Sequence, residues 1–146
     1  MPSLLPDFDL DRYLPYRLTV IAARLSADLA RQYKVKHGIS IAEWRVLLNV
    51  GYSGDQSVRD IEKRVSLDKS KVSRAASRLE GDGYLTKRVD EADRRLVKLT
   101  LTDKGMGLLS DLIPLAVAYQ ARLDQILGPQ AQALEAALDC LTKGTK

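Results

Sequence analysis

The 146-residue chain has an ordinary globular composition, with 45% hydrophobic and 29% charged residues, and a net charge of +4. This length suits one compact unit and is short for an enzyme with a separate substrate domain. The sequence has neither an apolar run that spans a bilayer nor the basic and apolar segments of a signal peptide. We therefore expect a cytoplasmic protein with no membrane partner.

Few residues in the sequence suit a metal site or a catalytic centre. Cys140 is the lone cysteine and His37 the lone histidine, so we expect no metal ion, no cofactor and no internal disulfide. The sequence also lacks a nucleophile–base pair and a glycine-rich phosphate loop, and we expect no enzymatic activity. An enzyme that uses the tyrosine and arginine residues near the N-terminus is the alternative.

A long amphipathic helix is predicted from about residue 11 to residue 36. Its apolar positions, which recur at helical spacing, include Leu14, Leu18, Ile21, Leu25 and Leu29. Asp11 is the expected N-cap, and Gly38 is suited to end the helix in the left-handed conformation. A helix of about 25 residues is roughly twice the usual length, so it needs a partner along most of its extent.

Three shorter helices are predicted in the middle of the chain. Serine followed three residues later by an acidic residue, a helix-capping pattern, occurs at Ser40 and again at Ser57. The third of these helices is predicted over residues 69–81, with Asp68 as its N-cap.

Two strands and two further helices are predicted after residue 81. Two-residue alternation in 85–89 and 96–101 predicts a hairpin. Three helices followed by a hairpin are the order of a winged helix-turn-helix. Thr102 is expected to start a second long helix, over about 103–127. A last helix carries the apolar residues Leu134, Leu138 and Leu141.

The helix predicted over 69–81 has an apolar face and a polar face. The apolar face consists of Val72, Ala75, Ala76 and Leu79, and the basic and hydroxyl residues are Lys69, Ser70, Lys71, Ser73, Arg74, Ser77 and Arg78. Small hydroxyl residues allow close approach to a DNA groove, arginine donates two hydrogen bonds to guanine, and flanking cations neutralise phosphates. Residues 56–98 hold 12 Lys or Arg and 8 Asp or Glu, which is the whole positive surplus of the chain. For this helix alone, an ordinary solvated face is the alternative.

Five motifs, in register, resemble the MarR family of bacterial transcription regulators. They are residues 43–47 in the helix after Ser40, residues 68–74 at the start of the helix after Asp68, its exit at 79–85, the D-x-R of the wing tip at 93–95 and the L-T-x-x-G at 101–105. The resemblance spans essentially the whole chain. It implies a mainly α fold with a small β-hairpin wing, in which a winged helix-turn-helix is flanked by long dimerisation helices. It also implies a homodimer that binds double-stranded DNA at a palindromic operator, as a sequence-specific and ligand-responsive repressor.

On this resemblance, the chain divides into three parts of one intertwined domain. Residues 1–39 are the N-terminal dimerisation helix, residues 40–101 the winged helix-turn-helix DNA-binding region, and residues 102–146 the C-terminal dimerisation helices. A winged helix that binds protein instead of DNA is the alternative, and it leaves the row of serine and arginine residues unexplained.

The resemblance also assigns roles to residues at the wing tip. Arg94 and Arg95 are expected to bind DNA, with Arg95 entering the minor groove and Asp93 holding it by a salt bridge. The alternative is a solvated turn pair that contributes little.

An effector pocket is the last feature that the resemblance implies. Many members of the family release DNA when an aromatic carboxylate or a related anion binds between the dimerisation helices and the DNA-binding lobe. The candidate lining residues are Tyr13, Tyr16, Arg17 and Trp44, and the candidate ligand is a small aromatic acid or its coenzyme A thioester, because an anion needs a cation and a ring needs apolar walls. Packing in the core and the dimer interface is the alternative for Trp44 and the tyrosines.

Overall fold

The structure is a computed structural model that describes residues 4–54, 56–65 and 67–145. The helices are α1 (Leu14–His37), α2 (Ile41–Ser53), α3 (Val58–Val65), α4 (Lys69–Gly81), α5 (Asp103–Leu127) and α6 (Ala131–Gly144), and the strands are β1 (Gln56–Ser57), β2 (Leu85–Val89) and β3 (Val97–Leu101). Short 3₁₀ turns at Leu10–Arg12 and Gly128–Gln130 precede α1 and α6. The expectation of a mainly α fold with a small β wing is confirmed.

The caps that start four of the helices are formed as the sequence predicts. In each cap a side-chain oxygen accepts a hydrogen bond from the backbone N–H three residues later. The pairs are Ser40 Oγ with the Glu43 N–H (3.2 Å), Ser57 Oγ with the Asp60 N–H (3.0 Å), Asp68 Oδ1 with the Lys71 N–H (2.8 Å), and Thr102 Oγ1 with the Gly105 N–H (3.0 Å). Each bond satisfies one backbone donor that the first helical turn leaves without a partner. These local signals therefore set where α2, α3, α4 and α5 begin.

The start of α1 differs from the prediction. Asp11 lies in the 3₁₀ turn, where the Tyr13 N–H donates to the Leu10 carbonyl (3.1 Å), and Tyr13 occupies the N-cap position. The expectation that Asp11 caps α1 was wrong, because the chain completes a separate turn before Pro15 enters the first turn of the helix. At the other end, Gly38 has a φ of 68° and ends α1 as expected.

The sheet has three antiparallel strands in the order β1-β3-β2. Leu85 pairs with Leu101 and Val89 with Val97, which forms the predicted hairpin. The sequence did not predict the third strand, β1, in which Gln56 pairs with Leu99 of β3. A strand of two residues is too short to show alternation. Its effect is to attach the start of α3 to the wing, which is the β2–β3 hairpin.

The core lies where α2, α3 and α4 meet the sheet, the C-terminal part of α1 and the N-terminal half of α5. The inner face of α4, made of Val72, Ala75, Ala76 and Leu79, is 0–5% exposed. Tyr33, Leu47, Ile61 and Leu99 are among the fully buried residues around it. Burial of an aliphatic side chain contributes about 1.5–3 kcal/mol to the free energy of unfolding. This packing therefore fixes α4 firmly against α2, α3 and the sheet, which together form the central lobe.

The end of α4, the base of the wing and the start of α5 form one tight junction. A side chain at Gly105 would collide with the carbonyl oxygen of Tyr84. Thr102 Oγ1 donates to the Gly83 carbonyl (2.6 Å) and Lys104 Nζ to the Asp82 carbonyl (2.6 Å). Glycine in the L-T-x-x-G motif thus has a steric reason, since α5 passes directly against the backbone that leaves α4.

Helices α1 and α6 present apolar side chains to solvent in the single chain. On α1 and α6, the residues Leu14, Leu18, Ile21, Leu134, Leu138 and Leu141 are between 38 and 49% exposed. Within the described residues, none of the helices combines the length and apolar character needed to cross a membrane.

One tyrosine in the core carries a hydroxyl that the packing does not satisfy. The ring of Tyr33 lies against Trp44, with centroids 4.6 Å apart. Within the described part of the chain, its Oη is buried and has no hydrogen-bond partner. Burial raises the pKa of Tyr33 to about 12, because the anionic form loses its contact with water.

Replacing Tyr33 by phenylalanine tests this environment. We expect Tyr33→Phe to raise the free energy of unfolding at pH 7 by about 1 kcal/mol, since it removes a buried unsatisfied group. The wild type should also lose about 1 kcal/mol between pH 9 and pH 11, because the hydroxyl ionises in the unfolded chain before it does so in the folded one. The loss over this range should be about 1 kcal/mol smaller in Tyr33→Phe than in the wild type. It should be unchanged in the control Tyr52→Phe, which changes an exposed ring. Urea unfolding at each pH measures both effects, and a clear destabilisation of Tyr33→Phe at pH 7 would contradict the assignment.

Candidate nucleic-acid interface

The outer face of α4 is a row of hydroxyl and basic side chains. Because the apolar face is buried, Lys69, Ser70, Lys71, Arg74, Ser77 and Arg78 are exposed and Ser73 is half-buried. All seven residues that the sequence analysis assigned to DNA on this helix therefore lie on its solvent side. A helix of this kind, with cations and small hydroxyls outward, is able to enter the major groove of DNA.

A lysine of the wing joins this row, and sequence reasoning missed it. Lys87 Nζ donates to Ser77 Oγ (2.7 Å), and the Lys87 N–H donates to Glu80 Oε2 (3.2 Å). Strand β2 is thereby attached to the second half of α4. The adjacent basic pair Lys87 and Arg88 was the available signal, but the partner of Lys87 depends on how the wing folds back onto α4.

A buried carboxylate from α2 holds the other edge of the row. Glu43 is 3% exposed and accepts a hydrogen bond from Ser40 Oγ (3.0 Å). Arg78 Nη1 lies 3.9 Å from its Oε1. Charge pairing across this distance orients Arg78, and it links the N-terminus of α2 to α4.

The wing tip brings Asp93 and Arg95 together. Arg95 donates to both carboxylate oxygens of Asp93, from Nε (3.0 Å) and from Nη2 (3.2 Å), and its N–H donates to Oδ1 (3.1 Å). These bonds from Arg95 hold the pKa of Asp93 below its ordinary value. The Arg95 side chain is nevertheless 82% exposed, and Arg94 beside it is exposed as well.

A second aspartate shapes the loop of the wing. Asp90 Oδ1 accepts from the N–H groups of Ala92 (2.8 Å) and Asp93 (3.2 Å), and Lys98 Nζ lies 3.4 Å from Oδ2. The backbone bond from Asp93, followed by that from Ala92, lowers the pKa of Asp90. The loop is therefore pre-formed, and Asp93 reaches Arg95 from a fixed position.

The four candidate effector residues do not converge in the single chain. Tyr16 and Arg17 line a groove of about 240 Å³ at the start of α1, together with Asp11, Val20 and Ile21. Tyr13 packs edge-on against Phe8, with centroids 5.2 Å apart, and is half-exposed. Trp44 is buried against Tyr33 in the core and does not line this groove.

Comparison with known proteins relates the chain to one family of regulators. Residues 37–96 match the sequence profile of the MarR family. The chain is similar to the transcriptional regulator MhqR of Bacillus subtilis, with 29% identity over 106 residues, 73% of this chain and 71% of that protein.

Solved structures extend the similarity to nearly the whole chain. A MarR/EmrR family transcriptional regulator from Acinetobacter sp. ADP1 is 28% identical and superposes with a TM-score of 0.78, covering 94% of both chains. BpsR of Bordetella bronchiseptica, whose DNA binding is regulated by 6-hydroxynicotinic acid, has the same fold at 23% identity, with a TM-score of 0.79 over 97% of this chain and 100% of that one. The profile match covers α2, α3, α4, strand β2 and the wing loop, and the structural matches add strand β3 and the long helices on either side. Over residues 37–96 the chain thus matches the MarR family, and over most of its length it is similar to transcriptional regulators of that family.

Proposed function

We propose that the protein is a homodimeric, ligand-responsive repressor that binds a palindromic operator. The observation that carries the DNA-binding part is the outer face of α4, where serine, arginine and lysine side chains are exposed beside the wing while the inner face is buried. In this proposal α4 enters the major groove and the wing reaches the adjacent minor groove.

Arg74 is the residue that we assign to base reading. It is exposed in the middle of the row, and no ion pair among the described residues involves it. Its guanidinium is therefore available for a bidentate contact to guanine. Lys69, Lys71 and Arg78 flank it and are assigned to phosphates, and Ser70, Ser73 and Ser77 to close hydroxyl contacts.

Arg95 is the residue that we assign to the minor groove. Its two side-chain hydrogen bonds to the Asp93 carboxylate reduce the number of conformations that the Arg95 side chain samples before binding. Less conformational entropy is therefore lost when DNA is bound. Arg94 is assigned to a neighbouring phosphate.

The assignment of Arg74 is tested on two duplexes, one selected from a random pool by the wild-type protein and one with the same bases shuffled. Arg74→Ala should weaken binding to the selected duplex by about 1–3 kcal/mol and to the shuffled duplex much less. Fluorescence anisotropy titrations measure both affinities. The control Arg122→Ala removes the same charge from an exposed position on α5. An equal loss on both duplexes would assign Arg74 to a phosphate and contradict the base contact.

The homodimer is proposed from the apolar faces of α1 and α6. Leucine and isoleucine residues 38–49% exposed in the single chain are suited to be covered by a second copy. A two-fold dimer places two α4 helices about one DNA turn apart, roughly 34–36 Å, which is the spacing of a palindromic site.

A charge on the apolar face of α6 should break this dimer. We expect Leu138→Asp to shift sedimentation equilibrium toward monomer, because burying an unpaired carboxylate in an apolar interface is costly. Ala136→Asp is the matched control, since residue 136 lies on the opposite side of the helix from Leu138. A dimer equally tight in both variants would place the interface elsewhere.

The effector is proposed to be a small aromatic acid or its coenzyme A thioester, bound at the start of α1. Arg17 supplies a cation for the carboxylate, and Tyr16, with Tyr13 nearby along the helix, supplies rings. Trp44 lies in the core, so its part in the proposal is limited to supporting α1 through Tyr33. Release from DNA then requires that the ligand prefer the non-binding conformation by several kcal/mol.

Titration of the protein–DNA complex tests the effector. The probes are 6-hydroxynicotinic acid, benzoic acid and benzoyl-coenzyme A, and anisotropy reports release of the selected duplex. We expect at least one probe to release the wild type and to lose most of its effect on Arg17→Ala, while Arg24→Ala responds as the wild type does. Equal release of both variants would remove Arg17 as the anion anchor. If no probe causes release, the effector proposal is wrong.

A further inference from the structure

We propose that a cleft between α3, the start of α4 and the outer end of the wing holds one backbone phosphate of bound DNA, with Arg59 and Lys69 as its cationic anchors. The proposal rests on the proposed placement of α4 in the major groove and the wing in the minor groove. Arg59 belongs to none of the residues that the sequence assigned to DNA.

Three elements contribute side chains to this cleft, which has a volume of about 170 Å³. Arg59 and Glu62 come from α3, Lys69 and Ser73 from α4, and Arg95 from the wing. A bound group is therefore able to contact α4 and the wing at the same time.

The geometry of DNA places a sugar–phosphate backbone over this cleft. A major groove and the minor groove next to it are separated by one strand of the backbone. A protein with a helix in one groove and a wing in the other must have that strand pass between the two. The surface between α4 and the wing is this cleft, so its side chains face phosphate oxygens and not base edges.

The charges in the cleft suit one phosphate. The guanidinium of Arg95 is already bound to Asp93, which largely balances its charge. Arg59 and Lys69 take part in none of the ion pairs among the described residues, and both are exposed. Glu62 opposes them with one carboxylate. Two free cations and the Ser73 hydroxyl are thus the donors available to the phosphate oxygens.

Arg59 also lies near enough to Asp93 to contribute to lowering the pKa of that carboxyl, after the bonds from Arg95. A purely structural role in supporting the wing is therefore the competing explanation for Arg59. The two roles of Arg59 predict different effects of its substitution on the salt dependence of DNA binding. A phosphate contact releases counterions on binding, whereas a support for the wing does not.

The experiment measures affinity against NaCl concentration on the selected and the shuffled duplex. Arg59→Gln should weaken binding about threefold to tenfold at 0.1 M salt, by the same factor on both duplexes, and should reduce the slope of log K against log [NaCl] by about 0.9 for each protomer bound. Arg59→Lys should keep the wild-type slope. Glu62→Gln should tighten binding to both duplexes, because it removes the opposing charge.

The matched control is Arg122→Gln on α5, which should change neither affinity nor slope. Unchanged binding by Arg59→Gln would overturn the proposal, and so would a loss confined to the selected duplex. A loss by Arg59→Lys as large as that by Arg59→Gln would assign Arg59 to the wing instead. If the wild type showed no salt-dependent DNA binding, the proposed function itself would fail. If Arg74→Ala lost specificity while the Arg59 variants kept the wild-type slope, only the cleft would be wrong.

Discussion

The close packing of α4 against the central lobe is the contact on which the rest of the interface depends. Val72, Ala76 and Leu79 are fully buried, and Ala75 is nearly so. Alanine at two positions of this face lets the helix backbone lie close to its neighbours. The contact of Ser77 with Lys87, that of Arg78 with Glu43 and the position of Lys69 in the cleft all follow from where this helix lies.

Acidic residues organise the basic surface around α4. Glu43 orients Arg78, Glu80 accepts the backbone N–H of Lys87, Asp90 shapes the wing loop, and Asp93 holds Arg95. Each of these carboxylates fixes a cation or the backbone near one, so the modest net charge of the region understates its suitability for DNA. Side chains held in place before binding lose less entropy on binding than free ones, which favours a defined contact over a diffuse attraction.

The sequence predicted those parts of the fold that depend on local chemistry. Ser40, Ser57, Asp68 and Thr102 each cap a helix at the predicted place, because a cap needs only residues three positions apart. Features that depend on distant contacts were not predictable in the same way. The pairing of Gln56 with Leu99 joins residues far apart in the chain, and a two-residue strand carries no pattern.

The candidate site shows the same division. The two faces of α4 follow from the helical spacing of its apolar residues, so the exposed row of polar and basic residues was identified from the sequence. Arg59 was not, because it follows Ser57 in a capping pattern and reaches the cleft only once α3, α4 and the wing are assembled. Trp44 was assigned to a ligand pocket on the family resemblance, because an aromatic ligand needs apolar walls, whereas its side chain lies in the core beside Tyr33.

The contact of Gly105 with Tyr84 joins the start of α5 to the base of the wing, and Leu108, Leu109 and Leu112 keep the next turns of α5 buried against the core. The helix has 25 residues, and at about 1.5 Å per residue it is roughly 37 Å long. The part beyond Leu112, residues 113–127, is roughly 22 Å long, so a tilt of about 5° where α5 leaves the core would move its far end by roughly 2 Å. The junction is closely packed, because Gly105 contacts the backbone of Tyr84, which follows α4. A displacement of the C-terminal part of α5 would therefore act on the wing and α4 through this junction.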